Sequence, residues 1–378
     1  MRCSWTAVVT LVAALGVASP AAAADTETAP AKIDPAARKA IVASIDRGLT
    51  YLEKAQKPDG SWSNRIFPAI TALAARAYLE HPDGRYTRSS PRVAKALTFI
   101  AGLAKDGGRE GIYDTTLANY NTAICLSTLA RAGDPAHETV IANARDFLKD
   151  KMVWHEKSRG VTKTDLRYGG AGYGDHKRPD MSNTQWMIEA LHESGLAATD
   201  PAYEQIMVFV RRCQNVKDKD SHPKAGTDGG CFYAADPPES KAGATSSGGL
   251  KSYPAMTYAG FKSFLYAGLK RDDPRVRAAW DYLRKHYDVT TNPELGSQGL
   301  YYYYHTMAKA LHVSGERFIV DGKGVKHDWR AELGNQIAGL QRKDGSWIND
   351  ADRWQEGDPV LVTTYAVLAM EYCLAPQK

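Results

Sequence analysis

The chain has 378 residues, 43% of them hydrophobic and 24% charged, and 48 Lys and Arg against 43 Asp and Glu give a formal net charge of +5. That balance belongs to soluble globular proteins and excludes a bundle of membrane spans or a disordered chain. The basic excess is slight and no dense Lys/Arg run accompanies it, which argues against nucleic acid as a partner.

Met1-Arg2 is a short basic start, Ala7 to Ala18 is apolar, and Ala21 to Ala24 supplies small residues. At roughly 20 Å in helical form the apolar run is too short to cross a bilayer. The pattern is that of a secretory signal peptide over residues 1–24, followed by a linker over 25–35. It predicts a secreted or periplasmic protein with no membrane span and no lipid anchor. Four cysteines remain after cleavage: Cys125, Cys213, Cys231 and Cys373. Exported cysteines can pair, and Cys213–Cys231 is the most local pairing; four buried thiols are the alternative. No Cys-x-x-Cys is present, so the spacing is not that of a zinc site.

From Asp34 the chain alternates two kinds of apolar segment. An amphipathic helix is predicted at Pro35–Gln56, with Ala40, Ile41, Ile45, Leu49 and Leu52 on one face, and an Ala-rich segment around Thr71 follows it. The pair then recurs: Pro91–Lys105 before Thr122, Pro135–Val153 before Thr184, Pro201–Gln214 before Thr257, Pro274–Tyr287 before Thr306, and Lys326–Gln341 before Thr364. Most of the amphipathic helices open on Asp-Pro or Ser-Pro, where the first residue caps and proline fits the first turn. The charged, one-sided helix of each pair belongs outside and the more apolar one inside. Six such pairs predict an all-α protein, an (α/α)6 toroid over residues 36–375. The last inner segment, Val360 to Leu374, is strongly apolar, which favours a closed ring over an open solenoid with polar ends.

Arg47-Gly48-x-x-Tyr51-Leu52-x-x-x-Gln56-x-x-x-Gly60-x-Trp62 resembles the Gln-Trp repeat of squalene and oxidosqualene cyclases. Gln341-Arg-Lys-Asp-Gly345-Ser-Trp347 repeats its second half, and degenerate forms stand at Gln214…Asp228-Gly-Gly-Cys-Phe232 and Tyr168-Gly-Gly-Ala-Gly-Tyr173-Gly-Asp175. In such a motif Gly permits the turn after the outer helix, Gln bonds orphan backbone groups and Trp packs across to a neighbouring unit. The resemblance, to the squalene cyclase and protein prenyltransferase superfamily and within it to exported single-toroid members, spans Pro35 to Leu374. It implies a toroid with a central cavity. The chemical groups of the family are absent: neither the Asp-x-Asp-Asp of squalene–hopene cyclases nor the Asp-Cys-Thr-Ala-Glu of oxidosqualene cyclases occurs. Asp218-Lys-Asp220 and Asp350-Ala-Asp352 are the nearest strings, both in polar loops. Tyr304-His305-Thr306 resembles the zinc-binding histidine of prenyltransferases, but Lys251-Ser-Tyr-Pro-Ala-Met-Thr257 lacks the Asp-x-Cys partner, so no metal or cofactor is expected.

The remaining place for a ligand is the cavity where the inner helices begin. If the six threonines mark equal depth, the residues before them form a ring: Ile70, Asn121, Asn183, Met256, His305 and Thr363. Tyr120, Gln185, Tyr253, Tyr258, Tyr302 and Tyr303 would lie beside it, with ordinary helix packing as the alternative for each. His305 is the candidate base and Asp114 the best-placed lone carboxylate; either could simply brace a helix end. This ring holds no carboxylate, which counts against a lyase or glycosidase. The expectation is a cavity that binds an apolar or ring-bearing small molecule, a lipid, isoprenoid or glycan, or a partner that the sequence does not name. The alternative is a divergent isoprenoid cyclase or a carbohydrate-active enzyme.

Overall fold

The computed structural model describes residue 1, residues 33–174 and residues 177–376, so the signal segment and most of the linker lie outside the described residues. In chain order the helices are α1 (Pro35–Ala55), α2 (Pro68–Leu79), α3 (Pro91–Ala101), α4 (Ala118–Ala132), α5 (Glu138–Phe147), the single turn α6 (Glu156–Arg159), α7 (Met181–Glu193), α8 (Pro201–Arg212), α9 (Pro254–Tyr266), α10 (Pro274–Lys285), α11 (Leu300–Ser314), α12 (Trp329–Gly339) and α13 (Pro359–Leu374). Two antiparallel ribbons are the only paired strands among the described residues: β1 (Ala234–Ala235) with β2 (Pro238–Glu239), and β3 (Ile319–Val320) with β4 (Lys326–His327).

Local chemistry explains the starts. The carboxylates of Asp34, Asp200 and Asp273 accept the free backbone N–H groups of α1, α8 and α10, and proline stands where no N–H is needed. Burial separates the two classes. α3 buries only Val93, Ala96, Leu97 and Ile100, whereas every residue of α2 is buried. Helices α2, α4, α7, α9, α11 and α13 each pack on the next, and α13 packs back on α2. The inner ring is closed, and α1 lies against both α12 and α13 across the seam.

The turns after the outer helices tie each unit to its neighbour. Gln56 Nε2 donates to Gly60 O in its own turn and to Arg92 O in α3, both at 3.0 Å. Gln214 does the same with Gly229 O and Arg275 O of α10. Gln341 donates to Gly345 O and to Ser44 O of α1, both at 2.9 Å, so the last unit is fastened to the first. The indoles of Trp62 and Trp347 donate to Leu52 O and Ile337 O within their own units.

Two helix bounds need correction. The predicted outer helix Pro135–Val153 is a 3-10 turn at Pro135–His137, then α5, then a wide π-turn over Leu148–Met152. The predicted Lys326–Gln341 helix starts only at Trp329, because Lys326 and His327 pair with β3. Of the two readings left open for the cysteines, the structure has the four buried thiols: Cys213 and Cys231 are free, as are Cys125 and Cys373. The Cys231 sulfur packs against Gly260 of α9, at 2.7 Å from where a Cβ there would stand, and burial pushes both thiol pKa values up.

Gly345 has φ +90°, and a Cβ there would stand 2.5 Å from Arg47 O; Gly84 has φ +62° with open space around it. Gly345→Ala is therefore expected to lower stability by about 3 kcal/mol and Gly84→Ala by about 1 kcal/mol, the difference being the backbone clash. Equilibrium urea unfolding compares them; equal losses would mean that the contact with Arg47 plays no part.

Candidate functional site

Depth in the ring is set by a hydroxyl. Thr71, Thr122, Thr184, Thr257 and Thr363, each four or five residues into its helix, accept N–H bonds from Trp62, Ile112, Ala171, Cys231 and Trp347 at 2.8–3.0 Å. The last unit thus uses Thr363, one residue before the threonine counted from the sequence. In α11 the corresponding place is taken by Tyr303, whose hydroxyl donates to Asp288 O at 2.6 Å, and Thr306 lies nearly a turn deeper.

On each helix, residues two before and two, five and nine after this point fall on one stripe, because steps of four, three and four return to the same face. The first level lines a partly open cavity of about 460 Å³: Tyr120, Ser182, Ala255 and Leu361, with Ile70 and Tyr302 from α2 and α11. Loops add Phe67, Tyr173, Tyr233, Tyr253 and Trp354 to the wall, and Trp186 and Tyr365 reach it from the second level. Nine aromatic side chains therefore surround one space. Tyr120 and Tyr173 stand 6.0 Å apart between ring centres, and Ser182 Oγ lies 3.0 Å from the Tyr302 hydroxyl.

The second level is the floor. His305 stacks on Trp186 at 5.3 Å and meets Tyr365 at 5.3 Å and Tyr372 at 5.8 Å. Burial, and then the charges of Lys262 and Lys309, hold its pKa well below the usual histidine range, so it is neutral. Below it the axis is filled with ions. Arg76 grips Glu193 with two bonds of 2.6 and 2.8 Å, Lys309 donates to Glu193 at 2.8 Å, and Lys262 pairs with Glu189.

Polar groups at the cavity are few. Glu356 is 1% exposed; it accepts Tyr302 N at 2.7 Å and Asn349 Nδ2 at 2.6 Å, so it caps α11 from another loop, and burial raises its pKa. Lys241 Nζ sits 4.4 Å over the Tyr233 ring and pairs with Glu239; Lys177 is exposed. Behind the wall, Asp180 caps α7 by accepting Asn183 N and Asn183 Nδ2, both at 2.8 Å. Its burial raises the carboxyl pKa to about 6.

Of the residues singled out in the sequence, Ile70, Tyr120, Tyr253, Met256 and Tyr302 line the cavity. The others are elsewhere. Asn121 stitches α4 to Ile66 O and Thr116 O, and Asn183 braces Asp180. Gln185, Tyr258 and Tyr303 are buried between helices, and His305 is part of the floor rather than the wall. Asp114 is a partly exposed loop residue outside the cavity lining, 3.8 Å from Arg65. The expected absence of a carboxylate is corrected by Glu356. Asp180 is not among the residues singled out in the sequence, yet Asp180-Met181-Ser182-Asn183 carries the first carboxylate of an Asp-x-Asp-Asp string, with Ser and Asn in the other two places.

No family model matches the chain, and no curated protein matches it in sequence. Solved structures do match. The type II terpene cyclase MstE from Scytonema, in complex with merosterolic acid A, is similar over 90% of this chain and 99% of that one, with a TM-score of 0.54 and 12% identity. Candida albicans protein geranylgeranyltransferase-I complexed with GGPP matches over 86% and 89%, with a TM-score of 0.52 and 13% identity. A family 88 glycosyl hydrolase from Bacteroides vulgatus matches over 89% and 99%, with a TM-score of 0.52 and 11% identity. The chain is an α/α toroid. The likeness reaches the fold of the squalene cyclase and prenyltransferase superfamily and of the toroidal hydrolases, and the chemistry of this toroid rests on its own side chains.

Asp180 gives the toroid a testable pH response. Its native pKa of about 6 exceeds the ordinary 3.8, so its contribution to stability is present below about pH 4 and is lost as pH rises through 6. Asp180→Asn keeps an acceptor for the helix cap. The stability of the wild type relative to this variant is expected to fall by up to roughly 3 kcal/mol between pH 4 and 7. A flat difference in urea unfolding across that range would mean that Asp180 is ionised throughout.

Proposed function

We propose that this toroid holds an apolar or ring-bearing small molecule, a lipid or isoprenoid, in its aromatic cavity. The observation that carries the reading is the ring of nine aromatic side chains around a single 460 Å³ space whose floor is sealed by His305, Trp186 and Tyr365. Such a wall gains from burying apolar surface and from ring stacking, and it offers few partners to a heavily hydroxylated sugar.

A divergent isoprenoid cyclase is the second reading, and Asp180 favours it. Against it stands acid strength: protonating an isolated alkene demands a far stronger acid than a carboxyl raised to about 6, and Asp180 lies behind the wall, capping α7. Binding is therefore the better account.

Titration of intrinsic fluorescence with geranylgeraniol and with squalene tests it. Saturable binding is expected, and Tyr302→Ala is expected to raise Kd at least tenfold, roughly the 1.5 kcal/mol of one lost aromatic contact. Saturable binding of an oligosaccharide with none of either isoprenoid would overturn it.

We propose as well that the protein is exported, on the strength of Met1 to Ala24. Mass spectrometry of the native protein should find its N-terminus at Ala24 or Asp25. An intact Met1 in a soluble cytosolic fraction would refute the proposal.

A further inference from the structure

The cavity wall is aromatic almost throughout, and one corner departs from it. There, at the start of α11, Asn292, Gly299, Trp354 and Glu356 meet. Asn292 Nδ2 donates to Gln298 O at 2.9 Å, and because that partner is a carbonyl, the orientation of the amide is fixed. Its Oδ1 is left buried with no donor among the described residues. A buried acceptor without a donor is rare in a folded protein and calls for a partner. The neighbouring Glu356 adds a second acceptor group and forms no ion pair among the described residues. The cation on the same strap, Arg353, is engaged with the face of Trp354 and with Gln298.

Trp354 covers this corner. It lines the cavity yet is 41% exposed, and its indole lies against Gly299, where a Cβ would stand 2.9 Å from the ring. Trp354 and Gln355 both hold left-handed backbone, φ +60° and +67°, which residues with a side chain adopt only at a cost. Glu356, bonded to the first turn of α11, anchors the strap immediately behind them.

We propose that Asn292, with Trp354 and Glu356, recognises the hydroxyl of a neutral ligand, so that the preferred occupant of the cavity is an apolar alcohol, isoprenoid or ring-bearing, rather than a hydrocarbon or an acid. The ligand hydroxyl donates to Asn292 Oδ1, its apolar body lies along the tyrosines, and the Trp354 ring closes over it. An anionic end would meet the Glu356 carboxyl. This rests on the reading that the cavity holds an apolar ligand, and it names the class.

The test compares three probes on the unaltered full chain by fluorescence titration at pH 7.5: geranylgeraniol, the saturated twenty-carbon hydrocarbon phytane, and geranylgeranoic acid. The alcohol is expected to bind about tenfold more tightly than either of the others, the worth of one hydrogen bond. Asn292→Leu should remove the advantage over the hydrocarbon while leaving hydrocarbon binding within about twofold, and Trp354→Ala should weaken all three. Hydrocarbon binding as tight as the alcohol overturns the inference alone. Tighter binding of the acid also overturns it and moves recognition to Lys177 and Lys241. Failure of all three probes to bind overturns both the inference and the apolar-ligand reading beneath it.

Discussion

A single buried hydrogen bond, from a loop N–H to a hydroxyl near the start of an inner helix, governs what each helix shows to the axis. Repeated in five units, it sets depth and rotation together. With both fixed, the stripe that faces inward follows from helical geometry alone, and each level of the axis acquires its own chemistry. Aromatic residues come first, then the stacked floor, then ions. The fifth unit in the chain departs from the pattern with Tyr303, and that is why α11 brings a histidine to the floor, where the other inner helices bring Leu73, Ile124, Trp186, Ala259 and Tyr365.

The ionic lower axis looks costly, since each buried charge has lost its water. Its balance explains how it stands. Arg76, Lys262 and Lys309 face Glu80, Glu189 and Glu193, with Ser127 and the Tyr372 hydroxyl taking further bonds. Burial favours the neutral form of Glu193, but Arg76 and Lys309 outweigh it and hold the carboxyl ionised, well below its usual range. Glu371, buried beside Glu80 with no hydrogen-bond partner, is pushed well above that range and stays neutral, which keeps the two signs matched. A network in which nearly every ion is answered specifies one arrangement of six helices, whereas apolar side chains alone would tolerate several.

The fold was legible in the sequence because it rests on repetition: outer helices with one apolar face, inner helices apolar nearly all round, and Asp-Pro starts. The site was legible only in part. Taking the residue just before the threonine reached the cavity at Ile70 and Met256, but in α4 and α7 it missed the inward stripe by one position, which on a helix is a turn of about 100°. That step sends Asn121 and Asn183 to neighbouring segments and leaves Tyr120 and Ser182 facing the cavity. In α11 the histidine context pointed to Thr306, nearly a full turn too deep. Tyr173, Tyr233, Asn292, Trp354 and Glu356 come from loops that converge only in three dimensions, so no local period announces them. Glu356 in particular acts on a helix more than fifty residues earlier in the chain, bonding Tyr302 N.

The fastening of Gln341 to Ser44 spans 297 residues, and it bears on how the molecule is assembled. Each earlier unit meets its predecessor soon after it is made, so those contacts are local and form quickly. The seam is different, because α1 and α2 find their last neighbour only when α13 arrives. Until then the chain is an open arc with two bare apolar edges, and closing it means bringing the ends of almost the whole polypeptide together. The slow, cooperative event in folding thus belongs to the C-terminal helix, and a chain that stops short of Pro359 remains an arc however well its other units have formed.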